Sequence, residues 1–202
     1  MDSGNDWIQT RSGSRISRRA QIRGQNKVIL AGMCVLSDHC TLKGDVPLRS
    51  KVAAAISMGE FCIIEKGCWL EPPQIGHKSL KGNVSQEEIT AVHGSLTLGS
   101  FVLLRENCKI QCSQIGRSVV VGHNALLSLG CEIGDVVIVD PHVKVPAKSK
   151  IPSFSRVRQH ARFKDAVELS ILPNGFRKCI ETWCKFEYLG IPVDVDEILS
   201  DN

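Results

Sequence analysis

Aromatic residues are scarce in this chain, 5% of 202 residues with a single tyrosine. A core short of rings must be assembled from Val, Ile, Leu, Ala and Cys, which suits thin, closely stacked layers better than a thick sandwich. No apolar run approaches the roughly 18 residues that a membrane-spanning helix needs. Residues 1–10, MDSGNDWIQT, lack an apolar stretch of signal-peptide type, so the chain is expected inside the cell with its thiols reduced. A formal net charge of only +4, without glycine-rich phosphate loops or aromatics among the basic residues, gives no reason to expect nucleic acid. What remains is 43% hydrophobic and 23% charged, the balance of a globular protein.

The pattern that is present has a period of six. Every sixth residue from Val121 reads Val121, Leu127, Ile133, Val139, Val145, Ile151, and two places earlier stand Val119, Ala125, Cys131, Val137, Val143 and Ser149. The rule holds upstream. Residues 28–48 give Val28-x-Leu30, Cys34-x-Leu36, Cys40-x-Leu42 and Val46-x-Leu48; residues 56–70 give Ile56-x-Met58, Cys62-x-Ile64 and Cys68-x-Leu70. Leu96-x-Leu98, Val102-x-Leu104 and Cys108-x-Ile110 continue it, and a break at 111–116 resets the phase. In-out-in alternation over three residues is strand geometry. The other three residues turn a corner, and Gly59, Gly99, Gly122 and Gly134 just after the aliphatic position suggest corners of positive φ. Three hexads close a triangular coil, so the pattern predicts roughly five stacked coils. Neither a helix of period 3.6 nor a sandwich of five- to six-residue strands keeps such a phase.

Nine cysteines raise the question of metal or disulfides. Cys34, Cys40, Cys62, Cys68, Cys108 and Cys131 all take the compact inward place of a hexad, where a thiol is a small hydrophobe. A Cys-x5-Cys spacing matches no standard zinc framework.

Residues 71–95 abandon the hexad and read as an excursion loop, holding His77, Lys78 and His93. Residues 1–27 read as a lead-in, with Arg11, Arg15, Arg18, Arg19, Arg23 and Lys27 as a solvated basic face or a patch for an acidic partner. After Pro152 the pattern changes. Asn174 can cap a helix at about 175–189 with Phe176, Ile180, Trp183 and Cys184 on one stripe, Cys179 and Cys184 as core neighbours, and Gly190 as the stop. Such a helix would cover part of the coil, and an acidic tail, 192–202, follows it.

The hexads resemble those of the hexapeptide-repeat proteins, which implies an all-β fold: a left-handed parallel β-helix, here over 28–151, with a C-terminal α-helix. Two enzyme classes share that repeat. Gly122-His123 resembles the zinc segment of γ-class carbonic anhydrases, but Ser128 stands where a second histidine is needed, leaving too few imidazoles for hydration chemistry. An acyltransferase would need a histidine base, with only His77 or His93 in the excursion. A more specific resemblance lies in Trp7-Ile8-x-Thr10, Ser12-Gly13, Ile16-Ser17-Arg18, Gln25-Asn26 with Val28-x-Leu30, and Gly44-Asp45, followed by MGEFCIIEKGCWLEPP, CSQIG and VGHNALL. In that order these resemble the dynactin subunit 5 family over about residues 6–151. Lys43 stands where that family usually has arginine before Gly-Asp.

The resemblance implies a non-catalytic structural subunit of the dynactin complex, cytoplasmic and cytoskeleton-associated, without cofactor or metal. The resemblance also implies a place in the pointed-end module that links dynein to cargo and adaptors. The implied partners are a second β-helix subunit, an actin-related capping subunit and a zinc-containing subunit, with dynein cargo adaptors met indirectly. Arg15, Arg18, Arg19, Lys43, His77 and Lys78 are the candidate partner-contacting residues.

Overall fold

Three columns of aliphatic side chains run through the protein, one behind each wall of a triangular coil. The computed structural model describes residues 6–49, 52–80 and 88–191. Behind the first wall, in-register parallel pairing stacks Ile16, Leu36, Ile64, Leu104, Val121, Val139 and Val157. Behind the second stand Ile22, Leu42, Leu70, Ile110, Leu127 and Val145. Leu30, Met58, Leu98, Ile115, Ile133 and Ile151 fill the third. From the second coil onward every column residue is at most 5% exposed. Each contributes on the order of 2 kcal/mol of apolar burial, so the coil is its own core.

Six coils are complete, one more than the hexad tally suggests, and Ser155–Gln159 begins a seventh. The extra coil lies in the segment read as a lead-in. Arg15–Ser17 and Gln21–Arg23 already pair in parallel with the second coil, so the β-helix begins before residue 28. Its inward small positions are Ser14 and Ala20, too polar or too small to register as hexads. Ser14 is nonetheless fully buried, and its hydroxyl accepts the Cys34 N–H at 3.2 Å. Val46-x-Leu48, conversely, is not a wall strand. The third wall of the second coil is Ile56–Glu60, leaving 44–55 as an insertion. At the 111–116 break the corner is one residue short, and Cys112 fills the interior beside Ile115.

The corner glycines act differently from the sequence expectation. Gly59, Gly99, Gly122 and Gly134 do not have positive φ; the residues two places on do, among them Phe101, Asn124 and Val136. Glycine is required because the coils nearly touch there. A Cβ on Gly99 would lie 2.7 Å from the Gly116 carbonyl oxygen, and one on Gly122 would lie 2.5 Å from the Pro141 nitrogen.

The 71–95 excursion is an antiparallel hairpin, Gln74–Leu80 against Glu88–His93. Its base is tied to the 44–55 insertion, where the His93 N–H donates to the Pro47 carbonyl at 2.8 Å and the Arg49 N–H donates to that of His93 at 3.0 Å.

The C-terminal helix, α1 (Phe176–Leu189), lies on the outer face of the first wall. That wall is apolar on both faces: Ile63, Leu103, Val120 and Ile138 point outward and meet Ile180, Trp183 and Cys184. Asn174 does not cap the helix; Gly175 takes the N-cap position without a side-chain bond. Gly190 ends it at φ 75°, donating to the Glu187 carbonyl. Cys179 is exposed while Cys184 is buried, because five residues turn a helix by about 140° and separate their faces. The acidic tail lies outside the described residues.

Candidate functional site

Where α1 crosses the first wall it leaves a groove of about 430 Å3 along the corner leading to the second wall. Val120, Ile138 and Pro141 form its floor, and Trp183 forms one side. Arg105 reaches across, pairing with Glu65, with Glu187 at 3.3 Å, and lying 4.9 Å from the Trp183 ring. The Trp183 indole N–H donates to Glu187 at 3.1 Å, and Arg156 pairs with Asp140 at 2.9 Å. Both groove cations are therefore matched by carboxylates. Burial pushes the Glu65 carboxyl above its usual range, with Arg105 pulling the other way. Burial likewise pushes the Cys184 thiol up to about 12, and that of Cys40, inside the coil, to about 12. Neither is a nucleophile near neutral pH.

His123 stands at the groove's edge on the first-to-second corner. One coil on, His142 meets it edge to face, with 4.8 Å between ring centroids. Ser128 follows the second-wall strand Leu126–Leu127, and its N–H donates to the Val145 carbonyl. His93 belongs to the other side of that wall, at the base of the hairpin. It is buried, and its Nδ1 has no hydrogen-bond partner. One chain thus does not bring His93 to His123. Among the described residues no three His, Cys, Asp or Glu side chains converge as metal ligands. The residues do not fit a γ-class zinc centre, since a serine hydroxyl stands where an imidazole is required.

The candidate partner-contacting residues fall into three places. Arg15, Arg18 and Arg19 lie on the first coil. Arg15 is 4.5 Å from the Tyr188 ring, Arg18 is exposed, and Arg19 pairs with Asp38 at 3.3 Å. Ser17 donates its hydroxyl to the same Asp38 at 2.5 Å and, with Arg19, holds that carboxyl below its usual range. Lys43 is on the second wall, paired with Glu71 at 2.7 Å. His77 and Lys78 are exposed on the hairpin, His77 bonded to Gln74 at 2.9 Å. Of the arginines, Arg18 lines a cavity that sequence reasoning missed. At the open first coil a hollow of about 370 Å3 is lined by Ile8, Ile16, Ala20, Ile22, Val28 and Leu30, with Arg18 at its edge. The groove beside α1 was missed too, although its signal was present. The middle residue of the hexad triplet is aliphatic at 63, 103, 120 and 138, four successive strands of the first wall.

Parallel strands stacked in three walls, with an aliphatic residue every sixth position, define a left-handed parallel β-helix of hexapeptide repeats. A hexapeptide transferase family protein from Anaplasma phagocytophilum shares that fold at 13% identity and TM-score 0.50, over 88% of this chain and 90% of that one. A putative acetyltransferase from Bacillus cereus matches at 18% identity and TM-score 0.43, covering 89% of this chain and 90% of that one. LpxA from Acinetobacter baumannii matches at 14% and 0.42, covering 93% and 88%. Within this class the family is specific. The model of dynactin subunit 5 matches residues 2–163, and the chain belongs to that family.

Proposed function

We propose that this chain is a non-catalytic structural subunit of the dynactin complex, cytoplasmic and cytoskeleton-associated, within the pointed-end module that links dynein to cargo and adaptors. The observation that carries the reading is the family match across residues 2–163, which spans every complete coil. The residues of the groove agree with it: its arginines are neutralised by Glu65, Glu187 and Asp140, and His123 has Ser128 where a zinc hydratase needs histidine. A stiff stack of coils whose second and third walls carry no helix among the described residues suits docking to several partners at once. These would be a second β-helix subunit, an actin-related capping subunit and a zinc-containing subunit, with cargo adaptors met through them. Arg15, Arg18, Arg19, Lys43, His77 and Lys78 are the proposed contact residues.

The test is gentle affinity purification of the tagged chain from its native cells, followed by mass spectrometry. Dynactin subunits should co-purify in fixed ratio, and His123→Ala should co-purify them equally well. Recovery of a homotrimer with hydratase or acyl-transfer activity, free of those subunits, would overturn the proposal.

A further inference from the structure

The hairpin at the C-terminal end of the coil has an outer edge of its own. Val167–Ile171 is the last of nine strands in the first-wall sheet, and no described strand lies beyond it. Its inner side is taken. The Leu172 N–H donates to the Phe154 carbonyl at 2.8 Å, and the His160 N–H donates to that of Ala166 at 3.1 Å. Antiparallel pairs exchange hydrogen bonds at every second position, so Ser170 and Glu168 also face Ser155–Gln159. The N–H and C=O of Leu169 and Ile171 therefore point outward, away from the sheet. None of the usual guards of an edge stands on this strand, VELSI: it has no lysine, no proline and no bulge.

Apolar and basic side chains mark the same edge. Ile171 is 90% exposed and Leu169 47%, two places apart and so on one face of the strand. Phe163 is 64% exposed on the loop that joins the two strands. That loop is braced: the His160 Nδ1 accepts the N–H groups of Arg162 and Phe163 at 3.1 and 3.2 Å, and Gln159 donates to the Lys164 carbonyl. Residues 155–178 carry six Arg and Lys against two acidic residues. Arg156 pairs with Asp140, and Asp165 with Lys144. No carboxylate pairs with Arg158, Arg162 or Lys164 among the described residues, and all three are exposed.

We propose that this edge receives an extended segment of a protein partner, apolar beside Leu169 and Ile171 and acidic where it nears the 160–166 loop. The segment adds one strand to the sheet. Its backbone pairs with Leu169 and Ile171, its apolar side chains cover theirs, and its acids meet Arg162 and Lys164. A lipid surface or a nucleic acid would satisfy the cations, but neither pairs with a row of N–H and C=O groups. The edge offers these groups whichever complex the chain joins.

Panning a phage library of random dodecapeptides on the full chain tests this. The enriched sequences should alternate apolar residues and carry an acidic end. A synthetic copy of one should slow hydrogen exchange at the Leu169 and Ile171 amides, read by NMR, by about tenfold or more. Leu169→Pro removes an N–H that Ser155–Gln159 does not use, so the fold should survive while peptide binding falls about tenfold. Arg162→Glu/Lys164→Glu, on the exposed loop, should weaken binding by a similar factor, and rising salt should weaken it in the native chain. Basic sequences, binding indifferent to Leu169→Pro, or unchanged exchange at the two amides would each overturn the proposal. An empty screen with sedimentation of the chain on phosphatidylserine vesicles would overturn it in favour of a lipid surface. Protection of the two amides that rises with the concentration of the chain alone would overturn it in favour of a second copy.

Discussion

At one end of the coil Val145 and Ile151 are 0% and 5% exposed; at the other, Ile22 and Leu30 from the same two columns stand half open. The repeat is the same at both ends, so it cannot be what closes either. The C-terminal end is closed by sequence outside the hexads. Gln159 accepts the Lys144 N–H at 3.0 Å and donates to the Lys164 and Ala166 carbonyls at 2.9 and 2.7 Å. Val167–Ile171 pairs antiparallel with Ser155–Gln159, and Val167 packs on the core. A solenoid repeat fixes register and interior; its ends need separate chemistry to satisfy edge groups and cover apolar side chains. Among the described residues the N-terminal end has only Trp7–Gln9, laid antiparallel on the first wall, and no strand pairs beyond the first coil on the other two walls.

The sharpest break in this contrast comes from placing a charge in the same column at two depths. Leu127→Asp puts a carboxylate into a fully buried position with no partner, and the domain should lose about 4 kcal/mol or more, enough to unfold it. Ile22→Asp, in the same column at the open end, should cost far less because water reaches it. Thermal melts of the two variants measure the gap. Equal losses would mean that the first coil is closed as tightly as the fifth.

A smaller effect is expected from removing the closure itself. Gln159→Ala strips three hydrogen bonds from the C-terminal end and leaves the Lys144 N–H on an open edge, a loss of about 1–2 kcal/mol. Because the defect is local, hydrogen exchange should quicken first in Lys144–Val145 and Ser155–Gln159, with the middle coils unchanged.

These positions also mark what the sequence allowed to be read. Leu127, Val139 and their columns were legible because three in-register walls enforce one period, and any polar residue inside would be costly. The inward cysteines were legible for the same reason. Ser14 and Ala20 hid the first coil, since a buried hydroxyl bonded to Cys34 looks like a loop residue. The glycines were found but misread: inter-coil contact, not positive φ, demands them. The excursion contained its hairpin without the alternation that would announce one. As for the candidate surfaces, Arg15, Arg18 and Arg19 were named without the hollow beside them, because half-burial of Ile22 depends on what fails to cover it. Only the groove beside α1 had an unread signal, the aliphatic middle residues of every third hexad.

The contrast between covered and open ground recurs across the walls, in two carboxylates of the third coil and the corner after it. Glu65 lies in the groove under α1, where burial is the largest influence and its pKa is raised above the ordinary 4.5. Glu71 follows the second wall, which no helix covers among the described residues. Burial pulls it upward too, but the donors Lys43, Trp69 and Gln111 prevail and its pKa is lowered. The signs of linkage are therefore opposite. Glu71, depressed in the folded state, contributes stability that is full above pH 4.5 and is lost as pH falls through its lowered value. Glu65, raised in the folded state, contributes stability that is full below 4.5 and is lost as pH rises through its raised value. Urea melts at a series of pH values from 3 to 7 should show Glu71→Gln less sensitive to acid than the native chain, and Glu65→Gln more so. Each difference should be about 0.5 kcal/mol, the scale of partly exposed ion pairs. The same sign for both would mean that α1 does not bury the groove it crosses.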